Sequence, residues 1–347
     1  MRLHAHNPLP AGAKYIALLA AFVLTFTAVA CGNGEDDPDD PGSLVIYSGR
    51  AEDLVGPLIQ RFEDQTGIDV VVEYGGSPTL AATILEEGTQ SPADVFFSQD
   101  PGALGAVEEL LTPLPASVLD RVEDWARSPE DLWVGISGRA RVLVYNVDSV
   151  DPSELPADIW DLTDPQWEGR VGWAPTNGSF ITMVTGMRSY WGEEMTREWL
   201  EGMVANDPTI YPNNTSQVEA AGRGEIDVGV VNHYYLYRFL AEQGEGFGAR
   251  NFHHEGGPGA LMMIAGTGIL ETASNRENAE EFLAFLLEDD SQQYFADETF
   301  EYPVVPAIET HELLTPMEEI NRPDITMADM VDLEGTEQLL REAGAMP

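Results

Sequence analysis

The fold is decided between residues 43 and 100, where the chain reads SLVIYSGRAEDLVGPLIQRFEDQTGIDVVVEYGGSPTLAATILEEGTQSPADVFFSQD. Apolar β-rich runs alternate here with stretches that carry apolar residues at helical spacing. The predicted order is strand, helix, strand, helix, strand, at 44–47, 54–65, 68–74, 79–87 and 93–97. This order predicts an α/β fold with a mostly parallel sheet covered by helices on both faces.

The turns that follow the three strands predict where a ligand binds. Ligands of open parallel sheets bind outside the carboxyl ends of the strands. The segments 47–50, 75–77 and 98–100 all lie at those ends. We therefore expect these three turns to converge on one crevice.

A second region of similar pattern follows a strand at 139–146. The chain has 347 residues, about the length of two lobes of ordinary domain size. The second region is predicted to contain strands at 170–173, 226–231 and 261–265 and helices at 181–190, 194–206 and 216–223, and the chain closes with helices at 277–287 and 291–296.

The first forty residues read as a targeting segment and a tether. Residues 1–30 combine a basic start with an apolar run at 15–26, and the only cysteine, Cys31, follows at once. This arrangement resembles a bacterial lipobox, which predicts that Cys31 is lipidated; a plain secretory signal cut before Cys31 is the alternative. Residues 31–42 are acidic and proline-broken, which is typical of a flexible tether.

The composition excludes several classes of function. The net charge is −43, and Lys14 is the only lysine. Nucleic acid is not expected as a partner, because binding phosphates requires clustered cations. The acidic charge is either a solvated surface suited to saline surroundings or a means of attracting cations. With one cysteine in the lipobox, disulfides and cysteine metal sites are not expected.

Seven short strings in order carry a family resemblance. They are Val45-Ile46-Tyr47-Ser48-Gly49-Arg50, Ser91-Pro92-Ala93-Asp94-Val95-Phe96, Ser137-Gly138-Arg139-Ala140-Arg141-Val142, Pro175-Thr176-Asn177-Gly178-Ser179-Phe180, Gly224-Glu225-Ile226-Asp227, Asn232-His233-Tyr234-Tyr235 and Pro258-Gly259-Ala260-Leu261. In order and spacing the chain resembles the ferric-ion-binding proteins of bacterial iron ABC importers, the bacterial transferrins.

The resemblance implies a two-lobed periplasmic-binding-protein fold with the ligand in a cleft between the lobes. One lobe would comprise residues 43–141 and 263–305, and the other 142–262 and 306–347. The implied function is capture of ferric ion outside the cytoplasm and delivery to the permease and ATPase of an ABC importer. A monomer held to the cytoplasmic membrane only by its lipid is expected, and no enzymatic activity.

The resemblance places the iron site at Tyr234 and Tyr235. Ferric ion is a small, hard cation that prefers charged oxygen donors. A bound metal can drive the loss of a phenol proton, although the reference pKa of tyrosine is near 10. The residue pattern alone also fits aromatic packing at the junction of a strand and a helix.

The chain departs from the best-studied iron binders at two ligand positions. Ala51 stands where those proteins have histidine, and Gln99 stands where they have glutamate. Glu52 and Asp100 are neighbouring oxygen donors that could substitute, together with Gln99 itself. Each of these carboxylates is equally well explained as a solvated loop residue.

A ferric ion held by two tyrosines needs further oxygens, and the resemblance implies a synergistic anion such as phosphate or carbonate. Arg139 and Arg50 are candidates to offset the charge of Asp100 beside that anion, or to join the lobes by salt bridges. The implied anion-binding residues are Asn177, Gly178, Ser179, Asn214, Asn232 and Arg139.

Two other functions stay open at this stage. The same fold could bind an anion, a polyamine or an organic cofactor for import, because two of the usual ligands are absent. A secreted hydrolase would need a nucleophile and a base, and only His233 and the pair His253-His254 are histidines near the candidate cleft. The pair His253-His254 is predicted to lie in a surface loop.

Overall fold

The computed structural model describes residues 41–347, so the predictions for the signal segment, Cys31 and most of the tether lie outside the described residues. The strands are β1 Ser43–Ser48, β2 Asp69–Tyr74, β3 Val95–Ser98, β4 Leu111–Thr112, β5 Trp133–Asn146, β6 Val171–Trp173, β7 Thr209–Ile210, β8 Val228–Asn232, β9 Ala249–Phe252, β10 Met262–Leu270 and β11 Tyr302–Pro303.

Helices cover the strands on both faces. They are α1 Glu52–Thr66, α2 Ser77–Glu87, α3 Pro101–Ala106, α4 Ala116–Leu119, α5 Gly178–Trp191, α6 Glu193–Ala205, α7 Asn214–Arg223, α8 Tyr234–Gln243, α9 Arg276–Leu286, α10 Asp289–Asp297 and α11 Leu333–Glu342. Within residues 41–347, no helix is both long and apolar enough to cross a membrane.

The strands form a mixed sheet rather than a mostly parallel one. Its order is β2-β1-β3-β10-β5-β8-β6-β7, with β4, β9 and β11 added to the strands β10 and β5. β1 is parallel to β2 and β3, and β6 is parallel to β7 and β8. The long strands between these two parallel groups, β10 and β5, are antiparallel to their neighbours.

The strand order divides at β5 into two sheets that share this strand. Its first part, Trp133–Ala140, pairs with β10, and its second part, Arg141–Asn146, pairs with β8 and β9. We call these the first and the second sheet. Nearly all of β5 is buried, including its two arginines, Arg139 and Arg141. The lobe boundaries stay a prediction, because strand pairing defines sheets and not rigid bodies.

The predicted convergence of three turns is confirmed. The turn after β1 packs so closely on the start of α2 that a Cβ at Gly49 would lie 1.9 Å from Ser77 Oγ, so only glycine fits. Ser77 Oγ in turn accepts a hydrogen bond of 2.8 Å from the backbone N–H of Gln99 after β3. One serine hydroxyl thus ties together the carboxyl ends of β1, β2 and β3.

The helix α1 shows how the sequence sets these elements. Its buried face is an apolar stripe that packs on the first sheet, and the helix ends at Gly67, whose φ of 77° suits glycine. The predicted elements are all present, with shifts of a few residues at their ends and with β10 and β5 extended. The helix α8 was not predicted. The residues of the buried face of α1 are Leu54, Val55, Leu58, Ile59 and Phe62.

Candidate functional site

The tyrosine pair opens a helix at the end of a buried strand. β8 ends at Asn232, His233 is the helix cap, and α8 begins at Tyr234. Consecutive residues on a strand would point to opposite sides. At the first turn of a helix they do not, and the rings of Tyr234 and Tyr235 are stacked with centroids 4.3 Å apart.

His233 fixes this junction through every polar group it has. Its ring Nδ1 accepts a hydrogen bond of 3.1 Å from the backbone N–H of Ala140. Its Nε2 therefore carries the proton and donates to the carbonyl of Phe300 at 2.8 Å. Its backbone N–H donates to the Ala140 carbonyl, and its carbonyl accepts from the Asn251 side chain. Both ring nitrogens are thus engaged, so His233 has none left for a metal.

The two phenols differ in their surroundings. Tyr234 is fully buried, and no hydrogen bond reaches its hydroxyl from the described part of the chain. Burial raises the pKa of Tyr235 well above 10, and the nearby Tyr234 hydroxyl adds to the rise, whereas Arg139 and Arg50 oppose it. A buried polar group without a partner is costly, so such a group in a native site calls for an explanation.

Three buried arginines surround the phenols. Arg50, Arg139 and Arg141 are at most 1% exposed, and each keeps N–H groups that meet no acceptor among residues 41–347. Burial and the neighbouring charge of Arg139 lower the pKa of Arg141 to about 9, and the two phenols oppose this shift. Arginines buried with unpaired donors would be stabilised by an anion.

Arg141 also joins the arginines to the loop that opens α5. Its Nη1 donates to the Asn232 side-chain oxygen at 2.8 Å and to that of Asn214 at 3.4 Å. The Asn214 amide donates in turn to Asn177 Oδ1 at 3.2 Å and to Ser179 Oγ at 3.3 Å. The structure therefore brings together four of the predicted anion-binding residues. The Asn232 amide is left buried without an acceptor in the described chain.

Asp100 is buried rather than solvated. It caps α3 by accepting from the Ala103 N–H at 3.1 Å, and it contacts the Thr182 hydroxyl at 3.5 Å. Burial raises the pKa of Asp100, and Arg139 opposes that rise. Gly178 lies beside it, since a Cβ there would be 3.5 Å from Asp100 Oδ2. The capping role explains Asp100 without a metal, and its place beside Gly178 makes it part of the site's charge.

The other two alternative ligands are less well placed. Glu52 is exposed in the first turn of α1, and burial together with the charge of Glu52 raises the pKa of Tyr74. Gln99 is half-buried and contributes its backbone N–H to the bond with Ser77. Ala51, at the position of the missing histidine, is exposed. Glu52 and Gln99 therefore stay predicted alternative ligands, and no hydrogen bond within the described residues joins either of them to the tyrosine pair.

Glu301 is a site residue that sequence reasoning missed. Its side chain is fully buried and forms an ion pair of 2.5 Å with Arg50 Nη2. Burial lowers the pKa of Arg50, but the charge of Glu301, its hydrogen bond and the two phenols together outweigh burial and raise that pKa. The residues are 251 positions apart, so no local pattern could have joined them.

The prediction of a surface loop at His253-His254 is wrong for His254. That residue is 3% exposed, and its ring Nδ1 donates to the Pro156 carbonyl at 3.1 Å. The ring packs against Gly259, where a Cβ would lie 2.3 Å from it. The prediction rested on the two glycines Gly256 and Gly257. It did not take into account the buried apolar residues that follow Gly257.

The site is defined by its donors rather than by an open cavity. In residues 41–347 no cluster of three His, Cys, Asp or Glu side chains could hold a metal ion. Surface cavities of about 470 and 700 Å³ adjoin Trp125 and Arg322, and neither is lined by a predicted site residue. A metal site at the tyrosine pair would therefore have to use ligands other than a cluster of three such side chains within residues 41–347.

Comparison with known proteins identifies the class. Residues 88–327 match the family of bacterial extracellular solute-binding proteins. The major ferric iron-binding protein of Neisseria meningitidis serogroup A is 31% identical over 337 residues, which cover 95% of this chain and 98% of that protein. The chain therefore belongs to the bacterial extracellular solute-binding protein family.

Solved structures agree with this assignment. The iron-bound HitA protein of Pseudomonas aeruginosa is 33% identical and superimposes with a TM-score of 0.84, covering 88% of this chain and all of that one. A Trichodesmium protein in complex with iron and citrate is 30% identical, with a TM-score of 0.77 over 87% of this chain and 99% of that one. The predicted resemblance and the two-lobed α/β fold class are confirmed.

Proposed function

We propose that the protein captures ferric ion at Tyr234 and Tyr235, together with an anion, for delivery to an ABC importer. The observation that carries this proposal is a pair of stacked phenols within electrostatic reach of three buried arginines with unpaired N–H groups. Phenolates supply the charged oxygens that a hard trivalent cation prefers. The similarity to proteins named for ferric iron supports the same cargo.

The balance of buried charges favours an anion of two negative charges. Three guanidinium groups, of Arg50, Arg139 and Arg141, stand against the carboxylates of Asp100 and Glu301. This leaves one positive charge, to which ferric ion with two phenolates adds another. Buried charge is costly unless it is balanced. Carbonate or hydrogen phosphate would complete the balance, and Asn177, Gly178, Ser179, Asn214 and Asn232 would hold it beside Arg139.

The site of action would be the outer side of the cytoplasmic membrane. A family of extracellular solute-binding proteins supports export from the cytoplasm and a permease with its ATPase as partners. Lipidation of Cys31, a tether at 31–42 and a monomeric state complete the proposal. We propose a binding protein rather than an enzyme, which agrees with a histidine beside the site, His233, that has no free ring nitrogen.

The test of the ferric site is a pair of single-atom changes. Tyr234→Phe and Tyr235→Phe keep the ring and remove the oxygen. Purified protein loaded with ferric nitrilotriacetate should show a visible tyrosinate-to-iron band. Each variant should lose or shift this band and lose affinity by at least about a hundredfold, because one charged bond to the metal is lost.

The matched control is Gln99→Ala, which alters a half-buried side chain near the turn after β3. An amide is a poor donor for a hard trivalent ion, so we expect this variant to bind iron within a few-fold of the wild type. If the tyrosine variants load iron as the wild type does at equal folded fraction, the iron assignment is wrong. The same fold would then be assigned an anion, a polyamine or an organic cofactor.

The anchor is tested separately from the cargo. Wild-type protein expressed with its full leader should take up labelled fatty acid and sediment with membranes. Cys31→Ser should abolish both, because the thiol that carries the lipid is lost. Unlabelled wild-type protein released to the medium and cut before Cys31 would contradict lipidation and leave the iron assignment untouched.

A further inference from the structure

The ion pair between Arg50 and Glu301 is one-sided. Glu301 binds Arg50 through Oε2, which also accepts from the Thr299 hydroxyl at 3.0 Å. Its Oε1 meets no donor, and the Nε and Nη1 of Arg50 meet no acceptor, among residues 41–347. Buried arginine–carboxylate pairs are frequently bidentate, with both oxygens bound by the guanidinium fork. Here one oxygen of Glu301 and two nitrogens of Arg50 remain available to another group.

The backbone around Glu301 is held in a restrained form. Phe300 has a φ of 55°, in the left-handed region that non-glycine residues rarely adopt. Its carbonyl accepts the Nε2–H of His233, and Tyr302 pairs with Gly138 of β5. The segment 299–302 thus connects the cap of the tyrosine helix with the counter-charge of Arg50. A non-glycine residue keeps such a rare backbone conformation only where the surrounding structure holds it, and such residues are common at functional sites.

Arg50 lies within electrostatic reach of both phenols, whose charge would act on it. Its partner Glu301 therefore decides how much of that positive charge an incoming anion meets. With Glu301 present, the site around the phenols keeps one uncompensated guanidinium before any ligand enters. Without it the site would keep two.

We propose that Glu301 sets the charge of the anion that the site accepts, by neutralising Arg50 and holding it in place. This inference rests on the anion of the proposed function. With the Glu301 carboxylate in place, an anion of two negative charges is enough to balance the charge of a site loaded with ferric ion. It also lowers the affinity for anions of higher charge, because like charges in a buried site repel. Glu301 is a positioning residue, since it acts through Arg50.

The experiment uses iron-free protein, Glu301→Gln, and two anions. Phosphate and citrate are titrated at constant ionic strength near pH 7, and binding is followed by calorimetry and by the rise in melting temperature. Glutamine keeps the shape and removes the charge. We expect tighter binding of both anions, with the ratio of citrate to phosphate affinity raised at least about tenfold, because each added ligand charge gains from the freed guanidinium.

Two further variants keep the result interpretable. Glu298→Gln changes an exposed carboxylate three residues away and should leave the ratio unchanged. Glu301→Asp retains the charge on a shorter stem, so it should keep the wild-type ratio even where its stability falls. A merely structural ion pair would alter stability in Glu301→Gln without altering the ratio.

An unchanged ratio in folded Glu301→Gln, or no anion binding by either protein, would overturn the inference. If Glu301→Gln does not fold, a ratio in Glu301→Asp that moves towards citrate would overturn it and a retained ratio would support it. The outcome is separable from that of the proposed function. A shifted ratio in protein that never binds iron would uphold the role of Glu301 while the ferric assignment failed.

Discussion

Buried titratable side chains are the residues on which this molecule depends most. His254 is one of them, and burial lowers the pKa of its imidazole from 6.5 to about 4. Tyr235 and Arg141 of the candidate site are others, since burial raises the pKa of Tyr235 and lowers that of Arg141. In each case the fold favours one protonation state, so pH acts on stability through single residues.

His254 gives a prediction with a definite sign. The unfolded chain takes up a proton near pH 6.5 and the folded chain only near pH 4. The free energy of unfolding that this histidine contributes is therefore present above pH 6.5 and lost as pH falls towards 4. His254→Asn keeps a donor for the Pro156 carbonyl and cannot titrate. It should lose about 2 kcal/mol less than the wild type between pH 7 and pH 4.5.

Urea unfolding at a series of pH values measures this difference. The other carboxylates and histidines titrate alike in both proteins and cancel in the comparison. Parallel pH profiles for the wild type and His254→Asn would show that the buried imidazole is protonated in the folded chain or contributes nothing.

The family resemblance predicted Tyr234, Tyr235 and the asparagine loop at 177–179 as site residues, because their neighbours in the chain carry recognisable strings. It could not identify Glu301, whose role depends on an arginine 251 residues away. It also left Asp100 open between ligand and solvated loop. Burial excludes the solvated loop and leaves the ligand role a prediction, and this burial depends on Thr182 and Gly178 from a distant element.

At the scale of elements, the junction of β8 and α8 carries the site. The change from strand to helix turns two adjacent phenols to one side, and a sequence period cannot reveal this because the strand is short and the helix begins with aromatic residues. His233 holds the junction against β5 at Ala140, the last residue that pairs with β10.

We expect His233→Phe to weaken both the fold and metal binding. It leaves the Ala140 N–H and the Phe300 carbonyl buried without partners, which should cost about 2 kcal/mol or more in unfolding free energy. It should also lower ferric affinity, because the start of α8 loses its anchor. His233→Asn, which keeps the acceptor for Ala140, should have a smaller effect on both. Urea unfolding and ferric titration measure the two quantities.

The control lies one turn along the same helix. Tyr237→Phe removes a hydrogen bond of 3.0 Å to the Leu313 carbonyl and should reduce stability with little change in ferric affinity. Equal affinities in His233→Phe and the wild type would show that the junction is held by packing rather than by the imidazole.

At the scale of the whole molecule, contacts join elements of the first sheet to elements of the second across the site. Asp53 on α1 pairs with Arg238 on α8 at 2.5 Å, and Asp100 contacts Thr182 on α5. Both carboxylates belong to elements beside the first sheet and both partners to elements beside the second. In the described conformation the two sides of the candidate site are therefore in contact.

Ligand should favour this contact, because an ion held by groups from both sides stabilises only the state in which they meet. Solution scattering should give a smaller radius of gyration for the protein loaded with ferric ion and phosphate than for the stripped protein. Asp53→Asn should change the loaded radius little, since a partly exposed pair contributes about 0–1 kcal/mol. The same radius in both states at saturation would contradict a clamshell.

The double membership of β5 has a consequence for such a motion. A loop hinge bends where hydrogen bonds are few, but one connection between the sheets is a strand of 14 residues, buried and paired along its length. Opening of the two sides must then add twist to β5. This twist would be shared over many peptide units, which keep their hydrogen bonds to the neighbouring strands. The part of the chain that permits the motion is then also the part whose backbone amides should exchange most slowly with solvent.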